Sequence, residues 1–186
     1  MVYYTLVKLS IGEVGLVWRL SADSPQLVRV ILPEDRLSTI TLLRQSYPEA
    51  RSGSHPLIVS IGRQLEEYDQ GMEINFSVPE AGPQRWSDFY RQVWTVTSHI
   101  PRGKVSTYGQ VASNISHPRA ARAVGTALGA NPFPLLIPCH RVILASGELG
   151  NYSAGGPSVK QRLLAREGVF FDSQGRVIKP VHPIDS

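Results

Sequence analysis

The stretch Ile137-Pro138-Cys139-His140-Arg141-Val142 contains the only cysteine of the 186-residue chain. A single thiol cannot form an intramolecular disulfide, and it has no partner thiol with which to hold a metal. The histidine and the arginine that follow Cys139 are side chains that stabilise a thiolate, and the proline before it stiffens the approach. The stretch therefore indicates a nucleophilic cysteine. The alternative is that Cys139 is only a small buried apolar side chain.

The segments on either side of this stretch predict how it is presented. Residues 131–138 read Asn-Pro-Phe-Pro-Leu-Leu-Ile-Pro, and the repeated prolines predict a stiff, extended connector rather than a helix. Downstream, Pro157 opens a last helix that Gly168 ends, and Glu167 is its final acid. A carboxylate is unfavourable at a helix C-terminus, so we expect Glu167 to have a partner. An idle surface glutamate is the alternative.

Two short helices are predicted upstream of the connector. Residues 107–110, Thr-Tyr-Gly-Gln, match a capping box and predict the start of the first helix. A turn follows at residues 116–117, and Pro118 suits the first position of a second helix over 119–129. That helix is built mostly from small residues, but it carries Arg122, whose long side chain is able to reach into a groove or between bases. The pair predicts a helix-turn-helix, with a helix pair that only packs and an idle exposed arginine as the alternatives.

The hydrophobic pattern predicts an α/β (α+β) protein of two domains. Residues 1–80 are predicted to form three strands up to residue 32, helices over about 33–45 and 56–68, and a short strand over 74–78, which together predict an antiparallel sheet with helices. Residues 81–86 contain Gly82 and Pro83 and are interpreted as a linker. Residues 87–169 form a mainly helical domain, and residues 170–186 form a C-terminal tail.

The charge is divided unevenly between these two parts. Residues 1–84 carry seven Lys or Arg and ten Asp or Glu, a net −3, whereas residues 85–167 carry ten basic and three acidic residues, a net +7. A basic half next to an acidic half suggests that the second half meets a polyanion. A solvated basic surface is the alternative, but the neighbouring helix pair favours nucleic acid.

Other classes of protein are disfavoured by composition. No run of about 18 apolar residues is present, so we expect no membrane span. We find no secretory signal at the N-terminus, and one cysteine fits a reducing interior, which predicts a cytoplasmic protein. The five histidines are scattered, without the close spacing of zinc ligands, so no metal and no cofactor are expected.

These motifs together resemble the O6-alkylguanine-DNA alkyltransferase family. The resemblance is carried by the stretch around Cys139, the run Gly150-Asn151-Tyr152-Ser153, Tyr108 and residues 119–125, and it covers about residues 89–168. It implies a DNA-repair protein that transfers an alkyl group from O6 of guanine to itself once, irreversibly, after the nucleotide is flipped out. It also implies a ribonuclease H-like N-terminal domain and a double-stranded DNA partner containing O6-alkylguanine. The protein would act as a monomer, and cooperative binding along DNA is left open.

The resemblance also implies roles for individual residues. Cys139 would accept the alkyl group, His140 would take its proton through a water, and Glu167 would orient His140. Tyr108 would donate a proton to N3 of the departing guanine, and Arg122 would replace the flipped nucleotide in the duplex.

Further positions are implied for binding. Asn131 would tie the helix-turn-helix to the active-site turn, and the loop with Tyr152 and Ser153 would bound the base pocket. The DNA-binding residues would be Thr107, Arg119, Arg122, Ala123, Asn131 and Arg141, and the pocket residues would be Pro134, Val142, Tyr152 and Ser153. Some members of the family carry a zinc site with cysteines in the first domain, which the absence of any cysteine before Cys139 excludes here.

Three other functions remain in competition at this level. A non-catalytic lesion binder of the same fold would lack the cysteine, which is present. A cysteine hydrolase would need a separate histidine and an oxyanion hole, for which the sequence has no signature. A transcriptional regulator would normally need a dimerisation element, and none is evident.

Overall fold

The computed structural model describes residues 1–21, 24–76 and 86–178. The fold is mixed α/β, as predicted, with a four-stranded sheet in the N-terminal half (residues 1–76) and helices around a two-stranded sheet in the C-terminal half (residues 86–178). No helix in the described ranges is long and apolar enough to span a membrane.

Three antiparallel strands and one short parallel strand form the N-terminal sheet. The strands are β1 (Val2–Leu9), β2 (Gly12–Ser21), β3 (Ser24–Ile31) and β4 (Arg51–Ser52). Their order is β3-β2-β1-β4, and β4 runs parallel to β1. The first three strands are as predicted, and β2 is the most buried because it pairs with β1 and β3 along most of its length, whereas β1 meets β4 at only two residues.

Helices α1 (Thr39–Ser46) and α2 (Pro56–Asp69) pack on this sheet. The sequence predicts a helix beginning at Pro33, but α1 begins later because Ser38 caps it, with its side chain accepting a hydrogen bond from the Thr41 amide. Of the strand predicted over residues 74–78, residues 74–76 are not a strand and the other two lie outside the described residues.

The C-terminal half follows the predicted order of elements. Its helices and strands are α3 (Asp88–Ser98), β5 (Ser106–Thr107), α4 (Tyr108–Asn114), α5 (Ala121–Gly129), β6 (Val142–Ile143) and α6 (Gly156–Arg166). The predicted capping box at Thr107 and Gln110 is present at the start of α4. Helix α5 begins at Ala121 rather than at Arg119, because residues 117–120 form a turn closed by the bond from the Ala120 amide to the His117 carbonyl (2.8 Å).

The two halves share one continuous hydrophobic core. Leu16 and Val30 from the sheet belong to the same buried cluster as Leu128 and Phe133 from the C-terminal half. The backbone is joined as well, since the Val30 amide donates to the Pro132 carbonyl at 2.8 Å. This bond fixes the connector before Cys139 against the edge strand of the sheet.

A second close approach between the halves requires glycine. Gly155 has φ of +109°, and a Cβ built on it would lie 2.6 Å from the Pro33 carbonyl oxygen. The loop before α6 therefore packs against the end of β3 only because no side chain stands there.

The domain boundaries after residue 80 and before residue 87 stay a prediction, because most of the predicted linker and residues 179–186 of the predicted tail lie outside the described residues.

We predict that Leu16→Ala lowers the free energy of unfolding by about 2–5 kcal/mol, because Leu16 is fully buried in β2 and its removal leaves a cavity. Leu20→Ala on the same strand is the control, because Leu20 is 49% exposed. Urea unfolding followed by circular dichroism measures both. Equal losses in the two variants would contradict the described burial.

Candidate active site

Cys139 lies at the base of a cavity of about 500 Å³. The walls come from the start of α4, from α5 and from the loop after β6. The lining residues are Tyr108, Ala121, Arg122, Gly125, Thr126, Leu128, Gly129, Leu144, Gly150, Asn151, Tyr152 and Ser153. The small residues of α5 thus form a smooth wall, which leaves room for a planar group next to the thiol.

Asn131 positions the thiol. Its Nδ2 group donates to the Ile137 carbonyl at 3.0 Å and to Cys139 Sγ at 3.1 Å. Its Oδ1 atom accepts from the Phe133 amide at 2.9 Å. Within this turn Leu135 has φ of +75°, a conformation that non-glycine residues rarely adopt. The extended connector predicted from the prolines is therefore a tight, buried turn held by one amide side chain.

The thiol of Cys139 is neutral at rest in this environment. Burial raises the pKa of Cys139, and the hydrogen bond from Asn131 together with the positive charge of Lys160 offsets only part of that rise. A neutral thiol is a weak nucleophile, so the site needs a base that removes the proton as the reaction begins.

His140 and Glu167 form a buried pair next to the thiol. Nε2 of His140 lies 2.9 Å from Oε1 of Glu167, and both side chains are fully buried. Burial lowers the pKa of His140, although the charge of Glu167 acts in the opposite direction. The Nδ1 atom has no hydrogen-bond partner in the described part of the chain. A neutral imidazole with one nitrogen bound to a carboxylate and the other free is a suitable general base.

Glu167 is held as an anion by its surroundings. Burial alone would raise the pKa of Glu167, but the charge that His140 carries when protonated, the hydrogen bonds from His140 and Arg141, and the charge of Arg141 outweigh it and place this pKa well below the ordinary value. Arg141 donates to Oε1 from Nη2 at 2.8 Å and to Oε2 from Nε at 3.0 Å. The partner that the sequence predicts for this helix-terminal carboxylate is thus present.

The placement of Arg141 corrects a sequence expectation. Its side chain is predicted to bind DNA, but the guanidinium is buried, with its remaining Nη1 group donating to the Ile100 carbonyl at 2.6 Å. A buried cation requires a paired anion, and Glu167 supplies it. Gly103 makes this arrangement possible, because a Cβ at this position would lie 2.8 Å from the Glu167 carbonyl oxygen.

Lys160 is a site residue that the sequence analysis missed. Its side chain is fully buried below the cavity, and Nζ donates to the carbonyls of Val142 and Leu149 at 2.6 Å each. The same ammonium lies 5.9 Å from the ring centres of Tyr108 and Tyr152. The sequence does contain one signal for this burial. Lys160 stands three and four residues before Leu163 and Leu164, and this spacing places it on the apolar face of α6.

Some of the other predicted pocket residues line the cavity, and others lie behind its walls. Tyr108 and Tyr152 line the cavity, and Ser153 also fixes its loop, because its hydroxyl donates to the Gly129 carbonyl at 2.9 Å. Burial, followed by the charge that Cys139 is able to carry, raises the pKa of Tyr108 and of Tyr152. Both phenols therefore stay protonated. Pro134 and Val142 are buried but do not line this cavity.

Some of the predicted DNA-binding residues are exposed, and others are partly or fully buried. Arg122 lines the mouth, is exposed and has no ion pair in residues 1–21, 24–76 and 86–178. Arg119 and Ala123 are exposed on the turn before α5 and on α5 itself. Thr107 is half-buried, and its hydroxyl caps α4 by accepting from the Gln110 amide.

Comparison with known proteins agrees with this geometry. Residues 88–169 match the model of the 6-O-methylguanine DNA methyltransferase DNA-binding domain. The chain is 38% identical to a methylated-DNA–protein-cysteine methyltransferase of Mycolicibacterium paratuberculosis over 151 residues, which cover 79% of this chain and 90% of the relative. The chain belongs to this methyltransferase family.

Further family members match over different lengths. The relative from Methanosarcina acetivorans is 44% identical over 106 residues, which is 57% of this chain and 66% of that relative. The aligned segment spans only 39% of the rat relative.

Solved structures of the family have the same fold. The crystal structure of Mycobacterium tuberculosis O6-methylguanine methyltransferase superposes with a TM-score of 0.71 at 33% identity, covering 90% of this chain and 93% of the other. The same organism's OGT has been solved in complex with DNA, and it superposes with a TM-score of 0.68 at 32% identity, covering 89% of this chain and 92% of the other.

We predict that Lys160→Met removes a pH dependence of stability from this family member. Burial lowers the pKa of Lys160 from 10.5 to about 8, so above pH 8 the folded protein releases a proton that the unfolded chain retains. The stability of the wild type should therefore rise by about 2 kcal/mol relative to the variant between pH 8 and 9.5.

Urea unfolding at several pH values measures this difference. Lys8→Met is the control, because Lys8 is exposed on β1 and should leave the curve unchanged. Parallel stability curves for the wild type and Lys160→Met would contradict the burial of this ammonium.

Proposed function

We propose that this chain repairs DNA by transferring the alkyl group of O6-alkylguanine directly and irreversibly to Cys139. The observation that carries the proposal is a single buried thiol at the base of a cavity, with the His140–Glu167 pair beside it. The family membership and the DNA complex of the M. tuberculosis protein support double-stranded DNA as the partner. A cysteine hydrolase would need an oxyanion hole at this cysteine, for which the sequence has no signature.

The flipped base would enter the cavity between α5 and the loop carrying Tyr152 and Ser153. The target substituent is inside the duplex, so the nucleotide has to leave the stack, at a cost of a few kcal/mol. Arg122 lines the cavity and is exposed, so its side chain would fill the space that the flipped nucleotide leaves in the base stack and delay the return of the base. The small side chains of α5 would allow that helix to approach the duplex closely.

Alkyl transfer would proceed by displacement at carbon. The thiol proton passes to Nδ1 of His140 through a bridging water, and Glu167 stabilises the imidazolium that forms. The sulfur–carbon bond forms as the carbon–O6 bond breaks, and Tyr108 donates its phenolic proton to N3, so that guanine leaves neutral. The tyrosinate then regains a proton from solvent as His140 releases one.

The product of this step is a thioether, which hydrolysis does not reverse. The protein would therefore act once and be consumed as a reagent. All of the reacting groups come from one chain, so the proposal needs one monomer for each lesion. Cooperative binding along DNA stays a prediction.

DNA binding would depend on the α4–α5 pair, which we infer to be a DNA-binding helix-turn-helix. Arg119, Arg122 and Ala123 are exposed, and Arg122 also lines the cavity. Thr107 and Asn131 would act beneath this surface by fixing α4 and the active-site turn. Contacts to phosphates would dominate, so binding should weaken with salt and show little sequence preference.

The finer description of the fold is also a proposal. The strand order β3-β2-β1-β4, with only β4 parallel to β1, supports a ribonuclease H-like N-terminal domain over residues 1–80. The alkyltransferase and DNA-binding domain would cover residues 87–169. A lone thiol that must stay reduced until it reacts fits a cytoplasmic location.

We predict that incubation with an oligonucleotide containing O6-methylguanine raises the intact mass of the protein by about 14 Da, the mass of one methylene added at the sulfur. Mass spectrometry of the intact protein and of the peptide containing Cys139 measures the change. Cys139→Ala should bind the DNA and gain no mass. Loss of the lesion without a gain in protein mass would refute the proposal.

We predict that Arg122→Ala slows repair of duplex DNA about tenfold or more and changes the reaction with free O6-benzylguanine less than about twofold. Only the duplex reaction has to offset the cost of base flipping, and a tenfold change corresponds to about 1.4 kcal/mol. Single-turnover rates with both substrates measure the difference. Arg63→Ala on the exposed side of α2 is the control, and equal losses on both substrates would exclude the proposed role of Arg122.

A further inference from the structure

The N-terminal half contributes one side chain to the His140–Glu167 pair. Tyr68, at the end of α2, donates its hydroxyl hydrogen to Oε1 of Glu167. The same hydroxyl lies 3.5 Å from Nε2 of His140. Tyr68 is 5% exposed and is separated from these residues by 99 and 72 positions in sequence. The contact therefore exists only because α2 packs against the C-terminal half.

Tyr68 is fixed from three sides. The Arg102 guanidinium lies 4.7 Å from its ring centre, and Nη1 of Arg102 donates to the Tyr68 carbonyl at 2.9 Å. Nη2 of Arg102 donates at 2.9 Å to the carbonyl of Arg166, the residue before Glu167. Phe76 packs edge-on at 6.0 Å. Arg102 thus holds Tyr68 and the backbone of the Glu167 helix end in one arrangement.

The direction of the Tyr68 hydrogen bond has a consequence for His140. Burial raises the pKa of Tyr68 well above its ordinary value, so the phenol keeps its proton and occupies Oε1 as a donor. Glu167 is also an anion, so the hydrogen between Nε2 and Oε1 has to belong to the imidazole. This fixes the tautomer with hydrogen on Nε2 and leaves the lone pair of Nδ1 available on the other side of the ring.

We propose that Tyr68 is a positioning residue for the nucleophile, whose hydroxyl orients Glu167 and tunes the basicity of His140 from the N-terminal half. The inference rests on the proposed alkyl transfer, because it assigns Tyr68 to the base of that reaction. The N-terminal half is then part of the reacting assembly as well as its support.

The direction in which Tyr68 should shift the pKa of His140 follows from the charged and titratable groups around the His140–Glu167 pair. Arg141 pairs with Glu167, the Arg102 guanidinium lies over the Tyr68 ring, and the charge of Lys160 acts on His140, while Cys139 and Tyr152 line the cavity. We expect each of these groups to stay in place in Tyr68→Phe, because none of them binds the Tyr68 hydroxyl in preference to Glu167. The variant loses only a neutral donor to Oε1, which leaves more negative charge facing His140, so the pKa of His140 should rise.

The test compares Tyr68→Phe with the wild type by nitrogen NMR of labelled histidine, which reports the protonation of each ring nitrogen. The pKa of His140 should rise by about half to one unit, and the Nε2-protonated form should lose population to the imidazolium at a given pH. Tyr47→Phe, at the end of α1 and outside the site, is the matched control and should change nothing. Thermal unfolding confirms that each variant is folded.

A double-mutant cycle with Glu167→Gln separates positioning from general stabilisation. If Tyr68 acts through Glu167, the change caused by Tyr68→Phe should disappear in the Glu167→Gln background. An equal shift in both backgrounds would overturn the proposal. So would an unchanged pKa of His140 in Tyr68→Phe.

The rate of methyl transfer from duplex DNA gives the functional readout. Tyr68→Phe should react about 3- to 10-fold more slowly, as expected for the loss of one orienting hydrogen bond. An unchanged rate would overturn the positioning role. Failure of the wild type to transfer methyl groups would instead refute the proposed function, and the NMR result would still decide whether Tyr68 tunes His140.

Discussion

The buried carboxylate of Glu167 is the interaction on which the active site depends. An anion removed from water is costly unless it is paired and fully hydrogen-bonded. Here the donors come from α2, from the loop after α3 and from the turn at Cys139, and they are Tyr68, Gly103, His140 and Arg141. Satisfying this one charge therefore brings together segments that lie far apart in sequence.

The same requirement explains why the nucleophile is so rigidly placed. The turn that carries Cys139 is anchored on one side by Asn131, and on the other by the ion pair of Arg141 with Glu167. Because Cys139 and His140 are adjacent in sequence, their side chains diverge. The imidazole of His140 therefore faces Glu167 rather than the thiol. In the proposed reaction, a bridging water would carry the proton from the neutral thiol of Cys139 to the imidazole of His140.

Glycines and small residues make the remaining geometry possible. The cavity is bounded by Gly125, Gly129 and Gly150, and Gly103 and Gly155 allow backbone segments to meet where a Cβ would collide. Lys160 stabilises the floor by binding two carbonyls from β6 and the following loop. A binding space therefore persists next to a close-packed core that the two halves share.

The sequence by itself determined the local features and the chemical type of the site. A lone cysteine next to histidine and arginine indicated a nucleophile, and the capping box at Thr107 located α4, because both signals act over a few neighbouring residues. The period of apolar residues also placed the strands and most helices. The start of α1 was misjudged, since the cap at Ser38 outweighed the proline at position 33.

Only the tertiary structure decided which distant side chains meet. Hydrophobic spacing shows which face of α2 or α6 is buried, but it does not specify the atoms on the other side of the interface. The contact of Tyr68 with Glu167 follows from the packing of the two halves, and the burial of Lys160 and Arg141 follows from packing within the C-terminal half. Desolvation then sets the charges, because a group's protonation state depends on the neighbours that only folding supplies.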